Sequence, residues 1–215
     1  MTASITARRL SKAIGQATRS AKFCVAGCLP AIDPNIEVYG LGAIKFPLKR
    51  AMAKKLVAHC QVAPYGKGTE TLVDTKVRNT FELDAKKFHL GQQWNAAVAR
   101  AAQVAAKQLG LPADQVEARL YKLLVYEKGG FFLPHRDSEK HDGMVASLIV
   151  VLANPFEGGA LVVRHGAVKQ DFAFEPAARG EASCYAAFYA DCEHEVKSRS
   201  EEHTSELQSP IHNSY

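Results

Sequence analysis

The chain has 215 residues, of which 47% are hydrophobic and 23% are charged, and its formal net charge is +5. This balance is that of an ordinary globular protein and excludes a disordered or collagen-like chain. No apolar stretch approaches the roughly 20 residues of a membrane-spanning helix, and aromatic residues do not interleave with the basic ones, so neither a membrane nor a nucleic acid is an expected partner.

The N-terminal part of the chain, residues 1–115, predicts helices and short strands that support a core further along. Its first 22 residues have the polar pattern of a helical lead-in. Because Gly110 is placed to end a helix, the Ala-rich stretch before it predicts a helix over residues 92–109. The other stretches predict short extended pieces over residues 25–44, an amphipathic helix within 47–63 and one or two strands within 69–83.

The pattern changes at Val116 and stays typical of β-strands to Val196. Apolar runs such as those over residues 120–126 and 144–152 are separated by glycine-containing turns. Helices followed by strands in this way predict an α+β fold, in which helices pack on one side of a sheet structure. The length fits one domain, whose core we place at residues 116–198.

His135-Arg136-Asp137 and the later His194 carry the most chemical information in the chain. In an extended strand, residues i and i+2 point to the same face, so His135 and Asp137 offer an imidazole and a carboxylate to one point. An imidazole from a neighbouring strand would complete a set of two nitrogens and one oxygen. Such a set suits Fe(II) and leaves three coordination positions open.

Two alternatives accompany this interpretation of the His-x-Asp motif. His135 and Asp137 are also compatible with a simple hydrogen-bonded pair at the end of a strand. In addition, His165 follows the apolar run that begins at Leu161, so it competes with His194 for the role of second imidazole.

The segments around these residues resemble the 2-oxoglutarate/Fe(II)-dependent dioxygenases, and among them the prolyl 4-hydroxylase-like branch. The resemblance covers roughly residues 115–198. Its motifs, in order, are a strand that contains Tyr126, a turn, Phe-x-Pro-His-x-Asp over residues 132–137, Gly-Gly-x-Leu over residues 158–161, and His-x-Val from His194. In the family a Gly-Gly strand stands between the aspartate and the distal histidine, which favours His194 over His165.

The resemblance implies a double-stranded β-helix, also called a jelly roll, and an enzyme that hydroxylates an unactivated C–H bond. His135, Asp137 and His194 would bind Fe(II); 2-oxoglutarate and O2 would be cosubstrates, and ascorbate is a compatible reductant. Tyr126 would hydrogen-bond the far carboxylate of 2-oxoglutarate, although it also fits a core aromatic. The substrate stays open between a peptidyl residue and a small molecule. A catalytically inactive jelly-roll binding protein is the alternative function.

The chain departs from the family pattern after His194. The family has a basic residue about ten positions later, which pairs with the far carboxylate of 2-oxoglutarate, whereas this chain has Thr204 at about that position. The string that begins at Arg199 resembles the in-frame translation of a sequencing adapter. We therefore interpret residues 199–215 as a non-native tail. The alternative interpretation is a polar, disordered C-terminus. On the first interpretation the jelly roll lacks its last strand and this chain is a poor enzyme. Arg164 and Arg179 are alternative candidates for the missing basic residue, but the spacing of the sequence favours neither.

The five cysteines show no framework spacing. Cys24 and Cys28 could form half of a zinc site, but no second pair with metal-ligand spacing follows them. Free thiols are typical of a reducing compartment, so we expect a cytoplasmic protein.

Overall fold

The computed structural model describes residues 22–67, 70–137, 143–201 and 204–213. The helical lead-in expected at the N-terminus lies outside these ranges. The helices are α1 (Arg50–His59), α2 (Gln92–Leu109) and the single turn α3 (Glu175–Ala178), and Ala85–Lys87 and Ala113–Gln115 form 3-10 turns. The strands are β1 (Cys24–Cys28), β2 (Ile36–Val38), β3 (Gly42–Ile44), β4 (Gln61–Val62), β5 (Tyr65–Lys67), β6 (Glu70–Leu72), β7 (Arg78–Asn79), β8 (Phe81–Asp84), β9 (Phe88–His89), β10 (Val116–Ala118), β11 (Lys122–Tyr126), β12 (Phe131–His135), β13 (Met144–Val151), β14 (Glu157–Gly158), β15 (Leu161–His165), β16 (Val168–Phe172), β17 (Cys184–Tyr189), β18 (Glu193–Val196), β19 (Arg199–Glu201) and β20 (Thr204–Asn213).

Two antiparallel sheets make up most of the described structure. The larger has the strand order β1-β17-β13-β20-β11-β8-β4, with β10 also paired to β20, and the smaller has the order β16-β15-β18-β12-β7. Neighbours in the large sheet are far apart along the chain, as in a jelly roll. The fold is therefore mostly β, with few helices, and it is consistent with the jelly roll expected from the sequence.

The apolar side chains form two clusters, one on each face of the large sheet. The first joins α1 and α2 to the sheet and contains Leu56, Trp94 and Leu123. The second contains Tyr126 from the large sheet and Val163 from the small sheet, so it lies between the two sheets. This inner cluster surrounds the space in which the sequence predicts a metal site.

Helix α2 has the bounds that the sequence predicts. Trp94, Ala105 and Leu109 are fully buried, which places the apolar stripe of the helix against the sheet. Gly110 adopts φ +80°, the left-handed conformation that commonly ends a helix. None of the described helices is both long and apolar enough to cross a membrane.

The last strand corrects one expectation from the sequence. We expected the jelly roll to lack this strand, but β20 lies inside the large sheet and pairs with both β13 and β11. Leu207 and Ile211 are buried in the helix-side cluster, so alternate positions of the segment supply an apolar face that fits this place. The interpretation of residues 199–215 as non-native is a separate matter and stays a prediction.

Candidate metal centre

Strands β12 and β18 bring the two predicted imidazoles together. They are antiparallel neighbours, and His135 lies directly opposite His194 in their register. Asp137 follows β12 by two residues. One ligand atom from each of the three side chains lies within 4.8 Å of the other two, a spacing at which a single metal ion could contact all three.

Backbone carbonyl groups fix the orientation of both histidine rings. Nδ1 of His135 lies 2.8 Å from the carbonyl oxygen of Leu133, and Nδ1 of His194 lies 3.3 Å from that of Cys192. A carbonyl oxygen can only accept, so each Nδ1 carries the proton and donates it. Each Nε2 atom therefore presents a lone pair, as a metal ligand requires.

The carboxylate of Asp137 is held by a buried serine. Ser147, which is fully buried on β13, donates its hydroxyl to Oδ2 of Asp137. Oδ2 also lies 3.8 Å from Nε2 of His194. Because the serine comes from the large sheet and the histidines from the small sheet, both sheets position the three ligand groups.

Aromatic side chains pack against both imidazole rings. The Phe132 ring stacks on His135 with centroids 3.4 Å apart, and the Phe188 ring lies 4.6 Å from that of His194. Burial, together with the neighbouring His194, lowers the pKa of His135 to about 3. A neutral ring does not have to lose a proton before it binds a metal ion near neutral pH.

The comparison with known families agrees with this arrangement. The family model of the 2OG-Fe(II) oxygenase superfamily matches residues 121–205, a stretch that includes all three candidate ligands. The matched stretch is 85 of the 215 residues, and over it the chain is similar to the 2OG-Fe(II) oxygenase superfamily. This match confirms the resemblance noted in the sequence, and it indicates an enzyme of the 2-oxoglutarate-dependent oxygenase class. No curated protein sequence matches the chain.

Two solved structures have a fold similar to that of this chain. A prolyl 4-hydroxylase from Pseudomonas putida has a TM-score of 0.55 and 19% identity, over 95% of this chain and 99% of that one. A prolyl hydroxylase from Trichoplax adhaerens, in complex with a hypoxia inducible factor oxygen degradation domain peptide fragment, has a TM-score of 0.53 and 14% identity, over 95% and 90%. At these identities the two likenesses show a shared fold.

Tyr126 is buried between the sheets, close to Arg199, a residue that we interpreted from the sequence as part of a non-native tail. The Arg199 side chain is completely buried, and its Cζ atom lies 5.6 Å from the centroid of Tyr126 and 4.1 Å from that of Phe156. Burial also raises the pKa of Tyr126, so its hydroxyl stays protonated and can donate a hydrogen bond.

The Arg199 guanidinium is only partly satisfied. Its Nη2 atom donates to Oε1 of Glu206 over 2.7 Å. Its Nε and Nη1 atoms are buried and have no hydrogen-bond partner within the described residues. Donors of this kind, in a buried site beside a tyrosine ring, can bind a carboxylate.

The alternative cations and the competing histidine lie elsewhere. Arg164 is partly exposed and pairs with Glu195, while Arg179 is exposed and pairs with Glu181. His165 is exposed and stacks on Phe23. The structure therefore brings His194, and not His165, to His135 and Asp137.

Sequence reasoning missed three residues of this site: Ser147, Arg199 and Glu206. Their burial is the feature that identifies them, since polar side chains that are almost fully buried need a partner or a role. Ser147 could have been noticed as the single hydroxyl in an otherwise apolar strand. No sequence pattern marks the others.

Proposed function

We propose that this chain is an Fe(II)- and 2-oxoglutarate-dependent dioxygenase that hydroxylates an unactivated C–H bond. The observation that carries the proposal is the convergence of His135, Asp137 and His194 on one point between the sheets. The family match supports the same class of chemistry independently.

The donor set fits Fe(II). Two neutral nitrogens and one carboxylate oxygen are typical of non-haem Fe(II) oxygenases, and they leave positions for a chelating cosubstrate and for O2. The bound Fe(II) would supply the redox chemistry that reduces O2 and oxidises the substrate. The protein's own residues would hold the ion, orient the cosubstrate and keep water away.

We assign Arg199 the role of the missing basic residue. In the superfamily that the chain resembles, a basic residue pairs with the far carboxylate of 2-oxoglutarate. We expected this residue near Thr204. Thr204 pairs with Tyr126 across β20 and β11, while Arg199 provides the buried guanidinium beside the same tyrosine. Arg199 and Tyr126 would together receive the carboxylate, each as a hydrogen-bond donor.

A second buried arginine, Arg78, packs against Phe132 of the inner cluster. Arg78 donates from Nη1 to the carbonyl oxygen of Pro64 over 2.6 Å, and its Cζ atom lies 4.4 Å from the centroid of Phe132. Its Nε atom has no partner among the described residues. We favour Arg199 because it has two unpaired nitrogen atoms and the contact with Tyr126.

The contact between Arg199 and Glu206 supports a second candidate function. Its buried carboxylate already accepts a hydrogen bond from Arg199, so it competes with a cosubstrate carboxylate for the same cation. If that competition prevails, the chain binds Fe(II) but not 2-oxoglutarate, and it acts as a metal-holding jelly roll without oxygenase activity.

An anaerobic titration separates the two functions. Chelation of Fe(II) by 2-oxoglutarate gives a weak visible charge-transfer band, which we expect in the wild-type chain. Glu206→Gln should produce the band at a lower 2-oxoglutarate concentration, and Arg199→Met should weaken it. Arg164→Met is the matched control and should leave it unchanged. Bound Fe(II) without any band, in both the wild type and Glu206→Gln, would establish the second function instead.

A further inference from the structure

Two cysteines on neighbouring strands lie in direct contact, away from the metal centre. Cys28 ends β1 and Cys184 begins β17, and the two residues lie opposite each other in the antiparallel register. Their Sγ atoms are 2.7 Å apart, which is closer than two unbonded sulfur atoms normally approach. Cys28 is exposed and Cys184 is buried.

The hydrogen-bonding pattern of the two strands is the one that accommodates a cross-strand disulfide. The amide of Leu29 donates to the carbonyl oxygen of Ser183, so the next pair, Cys28 and Cys184, is a non-hydrogen-bonded pair. In such pairs the Cα atoms are about 4.5 Å apart. That separation lies within the range of roughly 4.4–6.8 Å that disulfides span.

We propose that Cys28 and Cys184 form a reversible redox site, in which a low-molecular-weight disulfide such as oxidised glutathione converts the two thiols into an intramolecular disulfide. The thiolate of Cys28 attacks one sulfur of the oxidant, forms a mixed disulfide and releases one thiolate. The thiolate of Cys184 then attacks Sγ of Cys28 and expels the second. Two protein thiols are thereby oxidised, and one small disulfide is reduced to two thiols.

The difference in exposure sets the order of the two steps. An oxidant in solution reaches Cys28 but not the buried Cys184. Burial and the neighbouring Cys28 together raise the pKa of Cys184 to about 12. Once Cys28 is part of a mixed disulfide it can no longer carry a thiolate charge, so this second cause of the high pKa disappears at the step where Cys184 must ionise.

The disulfide would fasten an edge strand to the large sheet. Among the described strands, β1 lies at the end of that sheet and its partner is β17. β17 also carries Phe188, whose ring contacts His194. The linkage would therefore restrain a strand that packs against the candidate metal centre, and it would close a long loop of the unfolded chain.

The test is oxidation of the reduced full chain in graded mixtures of reduced and oxidised glutathione, followed by alkylation under denaturing conditions and peptide mass spectrometry. We expect a peptide that links Cys28 to Cys184, in the wild type and in Cys60→Ser. Cys28→Ser should not form it, and Cys184→Ala should accumulate a stable mixed disulfide at Cys28. A wild-type chain whose Cys184 is still fully alkylated under the most oxidising mixture would overturn the proposal, as would a link from Cys28 to another cysteine.

Thermal unfolding gives a second measurement that does not depend on enzyme activity. Oxidation should raise the Tm of the wild type and of Cys60→Ser by roughly 5–15 °C, the range expected for a disulfide in a chain of this size. The Tm of Cys28→Ser should not change. Equal shifts in wild type and Cys28→Ser would contradict the proposed linkage.

Discussion

Arg199 donates a hydrogen bond to Glu206 over 2.7 Å. Both residues are almost completely buried, with 1% and 3% of their surfaces exposed. Glu206 lies in β20, opposite Leu124 of β11 and Val151 of β13. The pair therefore places a positive and a negative group inside the jelly roll, next to Tyr126. Because an isolated buried charge is costly, the two side chains should depend strongly on each other.

This dependence predicts a non-additive pair of substitutions. Arg199→Met leaves the Glu206 carboxylate buried without its partner, and we expect it to lower the free energy of unfolding by about 3–5 kcal/mol. Arg199→Met combined with Glu206→Met removes both charges and should recover most of that loss. Urea unfolding of the wild type, the two single variants and the double variant measures the coupling. Additive effects would show that the contact contributes little.

The same pair predicts how stability depends on pH. Burial raises the pKa of Glu206 above its ordinary value of 4.5, although Arg199 acts in the opposite direction. The folded state thus binds this proton more tightly than the unfolded state. The resulting stabilisation is complete below about pH 4.5 and is lost as the pH rises through the folded-state pKa. Glu206→Gln should flatten this part of the curve of urea midpoint against pH. An unchanged slope in the variant would contradict the raised pKa.

Two glycines offer a matched test of the position of Arg199. Gly159 has φ +66°, and a Cβ atom placed on it would collide with the Arg199 side chain, whereas Gly166 has φ +57° and open space around it. Both alanine substitutions carry a backbone cost of about 1–2 kcal/mol. Gly159→Ala should be more destabilising than Gly166→Ala and should also weaken 2-oxoglutarate binding. Equal unfolding midpoints for the two variants would place the arginine elsewhere.

Substitution of Ser147 tests whether its hydrogen bond to Asp137 contributes to Fe(II) affinity. Its hydroxyl donates to Asp137, and groups that orient metal ligands in this way typically contribute roughly 10–100-fold in metal affinity. Ser147→Ala should therefore weaken Fe(II) binding by about that factor, measured anaerobically against a competing chelator. Ser209→Ala is a suitable control because Ser209 is a buried serine that faces the helix side of the large sheet. Equal affinities in the two variants would remove Ser147 from the site.

The sequence predicted those parts of the fold that local patterns encode. Helix α2 follows from its Ala-rich apolar stripe and Gly110, and the strands after Val116 follow from alternating or apolar runs separated by glycines. The two-residue period of a strand predicted that His135 and Asp137 converge, although only His135 is within β12 and Asp137 follows its end. These features need only neighbouring residues, so a single sequence suffices to indicate them.

The parts that were wrong or missed depend on contacts between distant segments. β20 was expected to be absent because the string from Arg199 resembles a translated sequencing adapter, yet the strand pairs with β11 and β13 on either side. Arg199 was excluded for the same reason. Its proximity to Tyr126 arises from the packing of the two sheets, which no spacing along the chain reveals.

The most direct test of the account is Fe(II) binding by the wild type, His194→Ala and His165→Ala under anaerobic conditions. Both histidines are on strands of the small sheet, but only His194 lies opposite His135. We expect one Fe(II) per wild-type chain, the same for His165→Ala, and a large loss of affinity for His194→Ala. Retained binding in a folded His194→Ala variant, or no binding by the folded wild type, would contradict the assignment of the metal centre.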